Sequence, residues 1–111
     1  MDYYDIWVDL VDSSRDLEFV ENLEGFLGTL RDAGEIEGYV LARRKFGFSP
    51  PGFGEFHVRI SAKDLAQLDR AFHHAATRAL PIEPKHARVF EMVTNFKSAL
   101  YRDFPDPVRE R

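Results

Sequence analysis

Apolar and polar residues alternate along two segments that are separated by a break rich in proline and glycine. In residues 55–61 every second residue is apolar, as expected for a strand with one buried face. Residues 39–46 are rich in β-branched and aromatic residues but alternate less clearly. Residues 47–54 contain two consecutive prolines, which cannot donate hydrogen bonds to a strand ladder. The pattern predicts a β-hairpin whose long loop carries two phenylalanines and folds back on another part of the molecule.

The N-terminal segment alternates in a similar way. From Tyr3 to Val11, one set of alternate positions is apolar, while the other is aromatic and acidic and includes Asp5, Trp7 and Asp9. We therefore predict a first strand with one face directed to a core and an unusual second face.

Two other segments have the spacing of amphipathic helices. The first helix is predicted to begin at Ser13, which stands three residues before Asp16 as in a capping box. The second is predicted to begin at Ser61 and Asp64, which have the same spacing, and to end at Pro81.

Residues 86–104 fit two patterns. Val89, Val93 and Leu100 have helical spacing, whereas Thr94 and Phe96 belong to a shorter stretch that alternates as in a strand. Because the helical pattern continues for longer than a usual strand, its length favours a helix, and a fourth strand is the alternative.

The order β-α-β-β-α, followed by a helix or strand, is that of the ferredoxin-like α+β fold. This fold has an antiparallel sheet with helices on one face. We expect the first strand to lie beside the third, in parallel. Five side chains would then be neighbours on the helix-free face: Asp5, Trp7, Asp9, His57 and Arg59.

Composition indicates one small globular domain. The chain has 111 residues, of which 44% are hydrophobic and 31% are charged. We predict a single domain over residues 1–104 and a frayed tail over residues 105–111. With a formal net charge of −4, no nucleic-acid partner is expected. The absence of cysteine excludes disulfides, thiolate metal ligands and a cysteine nucleophile.

No apolar stretch of the sequence approaches the roughly 20 residues that span a bilayer. The N-terminus also lacks the basic and apolar regions of a signal peptide. We therefore expect a cytoplasmic protein without a membrane partner.

The predicted helix-free face is too aromatic to be left in water and too charged to be an ordinary core. Packing of this face against a second copy of the chain would cover it. The sequence therefore predicts a homodimer.

Candidate chemistry is concentrated on that face. The set comprises Asp5, Trp7, Asp9, Tyr39, Arg43, Lys45, Glu55, His57 and Arg59. Trp7 could stack on a planar substrate, and His57 could act as a catalytic acid or base with a carboxylate holding its tautomer. The other interpretation is that these residues form cross-strand ion pairs in a polar interface, which the balance of acids and bases favours.

No cofactor or metal site is predicted. The sequence contains no glycine-rich phosphate-binding motif and no Gly-x-Ser-x-Gly motif. His73 and His74 are adjacent on a predicted helix, so their side chains diverge by about 100° and cannot easily share one ion.

The order of YDIWVDL, a long helix, a basic strand, GEFHVRI and a second helix resembles the dimeric α/β-barrel superfamily. That superfamily includes small monooxygenases of the antibiotic-biosynthesis type, EthD-like proteins and stress-responsive barrel proteins. The segments RRKFGFSPPGFGEFH and NFKSALYRDFPD also resemble a small uncharacterised bacterial family. The usual fourth strand of the superfamily corresponds here to the segment with helical spacing.

The superfamily resemblance implies a homodimer that binds a small organic molecule in a cavity on the helix-free face, as a monooxygenase- or EthD-like protein. The closer resemblance implies no function. The alternative is a non-catalytic interaction or structural module whose charged face is only a dimer interface.

Overall fold

The computed structural model describes residues 1–76 and 82–105. Its elements in chain order are strand β1 (Asp2–Leu10), a 3-10 turn (Ser13–Arg15), helix α1 (Asp16–Asp32), strands β2 (Gly38–Arg43) and β3 (Phe56–Ala62), helices α2 (Leu65–Ala76) and α3 (Ile82–Met92), and strand β4 (Val93–Arg102).

The four strands form one antiparallel sheet in the order β2-β3-β1-β4. The predicted α+β class, with a hairpin and an antiparallel sheet, is confirmed. β1 lies beside β3 as expected, but the prediction that they are parallel is wrong. α1 returns the chain so that β2 runs in the direction of β1, and the hairpin then reverses it for β3. Tyr4 consequently pairs with Ile60 in an antiparallel ladder.

The last strand corrects the helical interpretation of residues 86–104. α3 ends at Met92 and β4 begins at Val93, with no loop between them. The Val11 N–H donates to the Met92 carbonyl at 2.9 Å, which fixes this transition against the end of β1. β4 supplies ladder partners for every residue of β1 except Val8, and this pairing outweighs the helical spacing of its apolar residues.

Aspartates cap the 3-10 turn that precedes α1 and the start of α2. Asp12 Oδ1 accepts a hydrogen bond from the Ser14 N–H at 3.0 Å, so the cap stands one residue before the predicted Ser13. Asp64 Oδ1 accepts from the Gln67 N–H at 2.8 Å and caps α2. The predicted end of this helix at Pro81 lies outside the described residues.

The core lies between one sheet face, here called the covered face, and the helices. Its members are apolar residues of the sheet, of α1, α2 and α3, and of the connection between α1 and β2: Val8, Phe19, Leu23, Phe26, Leu27, Leu30, Ile36, Phe56, Val58, Ile60, Ala71 and Met92. On the other, helix-free face, no described helix packs. Within the described ranges, no helix has the length and apolarity needed to cross a membrane.

Candidate functional site

The ladder between β1 and β3 brings the central polar residues of the helix-free face together. Asp5 pairs with Arg59, and Trp7 pairs with His57. Residues that are directly opposite in an antiparallel pair have side chains on the same face. The predicted grouping of these four residues is therefore present in the structure.

Asp5 is the centre of this group and is only 1% exposed. Its Oδ1 lies 2.8 Å from His57 Nε2 and accepts from Arg59 Nε at 2.9 Å. Its Oδ2 accepts from Arg59 Nη2 at 3.1 Å. One buried carboxylate thus orients both an imidazole and a guanidinium.

The electrostatic consequence is that Asp5 stays ionised despite its burial. Burial alone would raise the pKa of Asp5, but hydrogen bonds from Arg59 and His57 outweigh this effect. They lower the pKa below the ordinary value of an aspartate.

Aromatic rings cover the other side of His57. The Trp7 ring is stacked on the His57 ring, with 5.1 Å between centroids and 24° between planes. Phe53, from the loop that joins β2 to β3, packs on Trp7 at 4.8 Å. The prediction that this loop folds back on the molecule is confirmed for Phe53.

The loop is also attached to the end of β1 through its backbone. Gly54 lies so close to Val8 that a Cβ at this position would overlap the Val8 backbone. Asp9 Oδ1 accepts from the Glu55 N–H at 2.8 Å, and Asp9 Oδ2 accepts from Asn95 Nδ2 at 3.0 Å. Asp9, a predicted binding residue, therefore holds the loop to the sheet.

A pocket of about 290 Å³ lies between this loop and the sheet. Aromatic, basic and small residues line it: Trp7, Ala42, Arg43, Arg44, Phe48, Ser49, Pro50, Phe53, Gly54, Glu55 and His57. Its walls come from the chain itself, whereas the sequence interpretation required a second copy to form the cavity.

Tyr39 and Arg43 were predicted to share the face of Trp7, and this placement is wrong. Tyr39 pairs with Ile60 and packs against the core, so it lies on the covered face. Arg43 pairs with Phe56, and its guanidinium lies over the Phe56 ring at 5.0 Å from the centroid. Arg43 also bonds Glu55 Oε1 at 2.8 Å, at the rim of the pocket.

The sequence interpretation missed Arg44 and Ala42 as pocket residues. They belong to the other set of alternate positions in β2 and its extension, and Ala42 pairs with His57 on the helix-free face. The Arg44 N–H donates to the Glu55 carbonyl at 2.7 Å, which continues the ladder and places Arg44 two positions beyond Ala42. Lys45, another candidate, lies over the Phe46 ring and does not line the pocket.

A second cavity, of about 240 Å³, lies on the covered face. Its lining is almost entirely apolar, with His86 as a polar exception, and it includes residues from α2 and α3. These helices are joined by residues 77–81, which are outside the described residues.

No three histidine, aspartate or glutamate side chains in the described part of the chain converge as metal ligands would. The rings of His73 and His74 have centroids 6.3 Å apart, and His74 Nδ1 lies 3.2 Å from Glu35 Oε1.

Comparison with known proteins identifies the family of this chain but does not indicate an activity. No curated protein is similar enough to this chain to count as a relative. The match to the family described as "Family of unknown function (DUF6614)" extends over residues 1–111, and the chain therefore belongs to that family.

Proposed function

We propose that this chain is a ferredoxin-like, homodimeric protein of the dimeric α/β-barrel type that binds a small organic molecule beside Trp7 and His57. The observation that carries the proposal is the pocket of about 290 Å³, which joins aromatic walls to a histidine oriented by a buried carboxylate.

His57 is arranged as a hydrogen-bonding group for a ligand. A neutral ring that donates from Nε2 to Asp5 leaves Nδ1 as an acceptor. Among the described residues, no hydrogen bond is made to this nitrogen. A ligand hydroxyl or amide could therefore donate to Nδ1 while its ring lies against the aromatic wall.

The loop pocket fits a specific site better than the cavity on the covered face does. Binding sites combine apolar walls with a few fixed polar groups, which determine orientation and selectivity. The loop pocket has Arg44, His57 and Glu55 in its walls, whereas the other cavity is almost wholly apolar.

Two large, exposed side chains on the helix-free face support the homodimer. Val40 and Tyr101 lie on this face, because they pair with Arg59 and Tyr3, and they are 62% and 53% exposed. A second copy that packs against this face would cover both residues. The strand order and the single layer of helices are compatible with the ferredoxin-like arrangement on which such dimers are built.

Trp7 offers a direct test, because it is the only tryptophan in the sequence. Phenol, indole, benzamide and benzoate are titrated against the full chain while the tryptophan fluorescence is recorded. We expect at least one of them to change the emission saturably, with a Kd of about 1 mM or lower.

The matched variants are Ala42→Phe, which fills the pocket from β2, and Val11→Phe, which adds the same ring at a position that is 69% exposed. Ala42→Phe is expected to abolish the response and Val11→Phe to preserve it. Equal responses in both variants, or no response to any probe in the wild-type chain, would overturn the proposed site.

The alternative function, a non-catalytic interaction module, is favoured by the ion pairs of the same face. His57→Ala separates the two functions. It should change the affinity for a bound probe and leave dimer assembly nearly intact if the pocket is a binding site. A change in assembly alone would support the interaction module.

A further inference from the structure

Three arginines near the hairpin differ in how their charges are compensated. Arg59 is paired with Asp5, and Arg43 is paired with Asp16 and Glu55. Arg44 Nη1 instead donates to neutral groups, the Phe53 carbonyl at 3.2 Å and Ser49 Oγ at 3.5 Å. No carboxylate among residues 1–76 and 82–105 forms an ion pair with it.

The carboxylates closest to the pocket are already engaged. Glu55 accepts from Arg43 Nε at 2.8 Å. The Glu55 N–H and the Asn95 amide lower the pKa of Asp9, while the charges of Arg44 and Lys97 contribute less. Two cations thus act on Asp9, and Lys97 itself donates to Asn95 Oδ1 at 2.7 Å. Both carboxylates therefore have other hydrogen-bond partners, and Arg44 has no hydrogen bond to a carboxylate among the described residues.

The arginine without an ion pair shares the pocket with three aromatic residues. Arg44 lines the same pocket as Trp7, Phe48 and Phe53. A cavity of about 150 Å³ is enough to hold a benzene ring, so about 290 Å³ admits a ring with a polar substituent.

We propose that the ligand of this pocket is an aromatic monocarboxylate, whose ring packs against Trp7 and Phe53 and whose carboxylate binds the guanidinium of Arg44. This inference rests on the proposed function and adds the class of ligand. A single guanidinium matches a carboxylate through two parallel hydrogen bonds, whereas a dianionic phosphate is usually bound by more than one cation.

The test compares benzoate, its neutral analogue benzamide, and phenyl phosphate on the full chain, with Trp7 fluorescence and calorimetry as readouts. We expect benzoate to bind about tenfold more tightly than benzamide, because a charge-assisted hydrogen bond contributes about that factor. Arg44→Gln should remove the preference for benzoate. Lys45→Gln is the matched control and should retain the preference, because Lys45 lies over the Phe46 ring and does not line the pocket. Arg44→Lys should retain part of it, which excludes a failure to fold as the cause.

The outcomes separate this inference from the proposed function. Equal binding of benzoate and benzamide, or tighter binding of phenyl phosphate, would overturn the carboxylate assignment and leave the pocket as a binding site. A preference for benzoate that survives in Arg44→Gln would overturn the role of Arg44. If none of the three compounds binds, both the proposed site for ligands of this size and the proposed ligand class are overturned.

Discussion

The guanidinium of Arg59 forms two hydrogen bonds with the carboxylate of Asp5, from Nε to Oδ1 at 2.9 Å and from Nη2 to Oδ2 at 3.1 Å. The acid is 1% exposed, while the arginine side chain is 44% exposed. The buried carboxylate is therefore neutralised by a guanidinium that remains partly in solvent. Its energetic role is to satisfy Asp5, because an unpaired buried carboxylate is costly.

Arg59→Met is expected to destabilise the protein by about 2 kcal/mol, because Asp5 would then be buried with only His57 as a partner. The measurement is urea unfolding at pH 7. Arg15→Met is the matched control, since Arg15 pairs with Glu18 and both side chains are 50% exposed. It should cost less than about 0.5 kcal/mol. Equal losses in the two variants would contradict a special role for Asp5.

Acid should destabilise the protein through Asp5. Since its folded pKa is lowered, the unfolded state binds more protons, and the stabilisation is complete above the unfolded value of about 3.9. It is lost as the pH falls from there through the folded pKa. Asp5→Asn should be less stable than the wild type at pH 7 and should show a shallower loss in acid. Thermal unfolding at pH 7, 5, 4 and 3 tests this, and parallel profiles would contradict it.

Gly54→Ala should detach the loop from β1, because the added Cβ would overlap the Val8 backbone. We expect a loss of about 2 kcal/mol or more in the free energy of unfolding and a red shift of the Trp7 emission as Phe53 moves away.

Gly25→Ala, in the middle of α1, should instead raise the free energy of unfolding. No atom lies within 4 Å of its added Cβ, so a gain of about 0.5–1 kcal/mol is expected from helix propensity. Unfolding curves for both variants test these signs.

In the homodimer proposed above, which would form through the helix-free face, Val40 is an interface residue. Val40→Gln removes apolar contact at two symmetric positions and should weaken the dimer about tenfold or more. Sedimentation velocity across a concentration series measures this effect. Leu17→Gln, at a residue of α1 that is 82% exposed, should have no effect. A wild-type chain that sediments as a monomer at micromolar concentration would remove the basis of the proposed dimer.

β1 and β3 could be predicted with the correct faces because only one set of alternate positions in each is apolar. β2 offers no such contrast. Tyr39 and Leu41 are as apolar as Val40 and Ala42, so its sidedness depends on the register with β3, where Leu41 lies opposite Val58. The error for Tyr39 and Arg43, and the omission of Arg44, have this single origin.

The sequence predicts which residues contact Asp5, but it does not predict how deeply Asp5 is buried. The sequence places an acid beside Arg59 and His57, and the structure contains both contacts. The burial of Asp5 depends on the positions of the His57 ring and the Arg59 side chain that contact it, and no local sequence pattern specifies these positions. The pocket depends in the same way on where the loop lies, and this is determined by the contact between Gly54 and Val8.

β4 contains one residue more than the stretch of β1 that it faces. The register changes between Trp7 and Asp9, and Asn95 has a left-handed φ of 55° at this point. Deleting Asn95 would leave Phe96 and Lys97 on their present sides of the sheet. A deletion further along β4 would move the side chain of every residue beyond it to the opposite face of the sheet. Length variation among relatives of this protein is therefore tolerable at Asn95 and should be excluded from the rest of the strand.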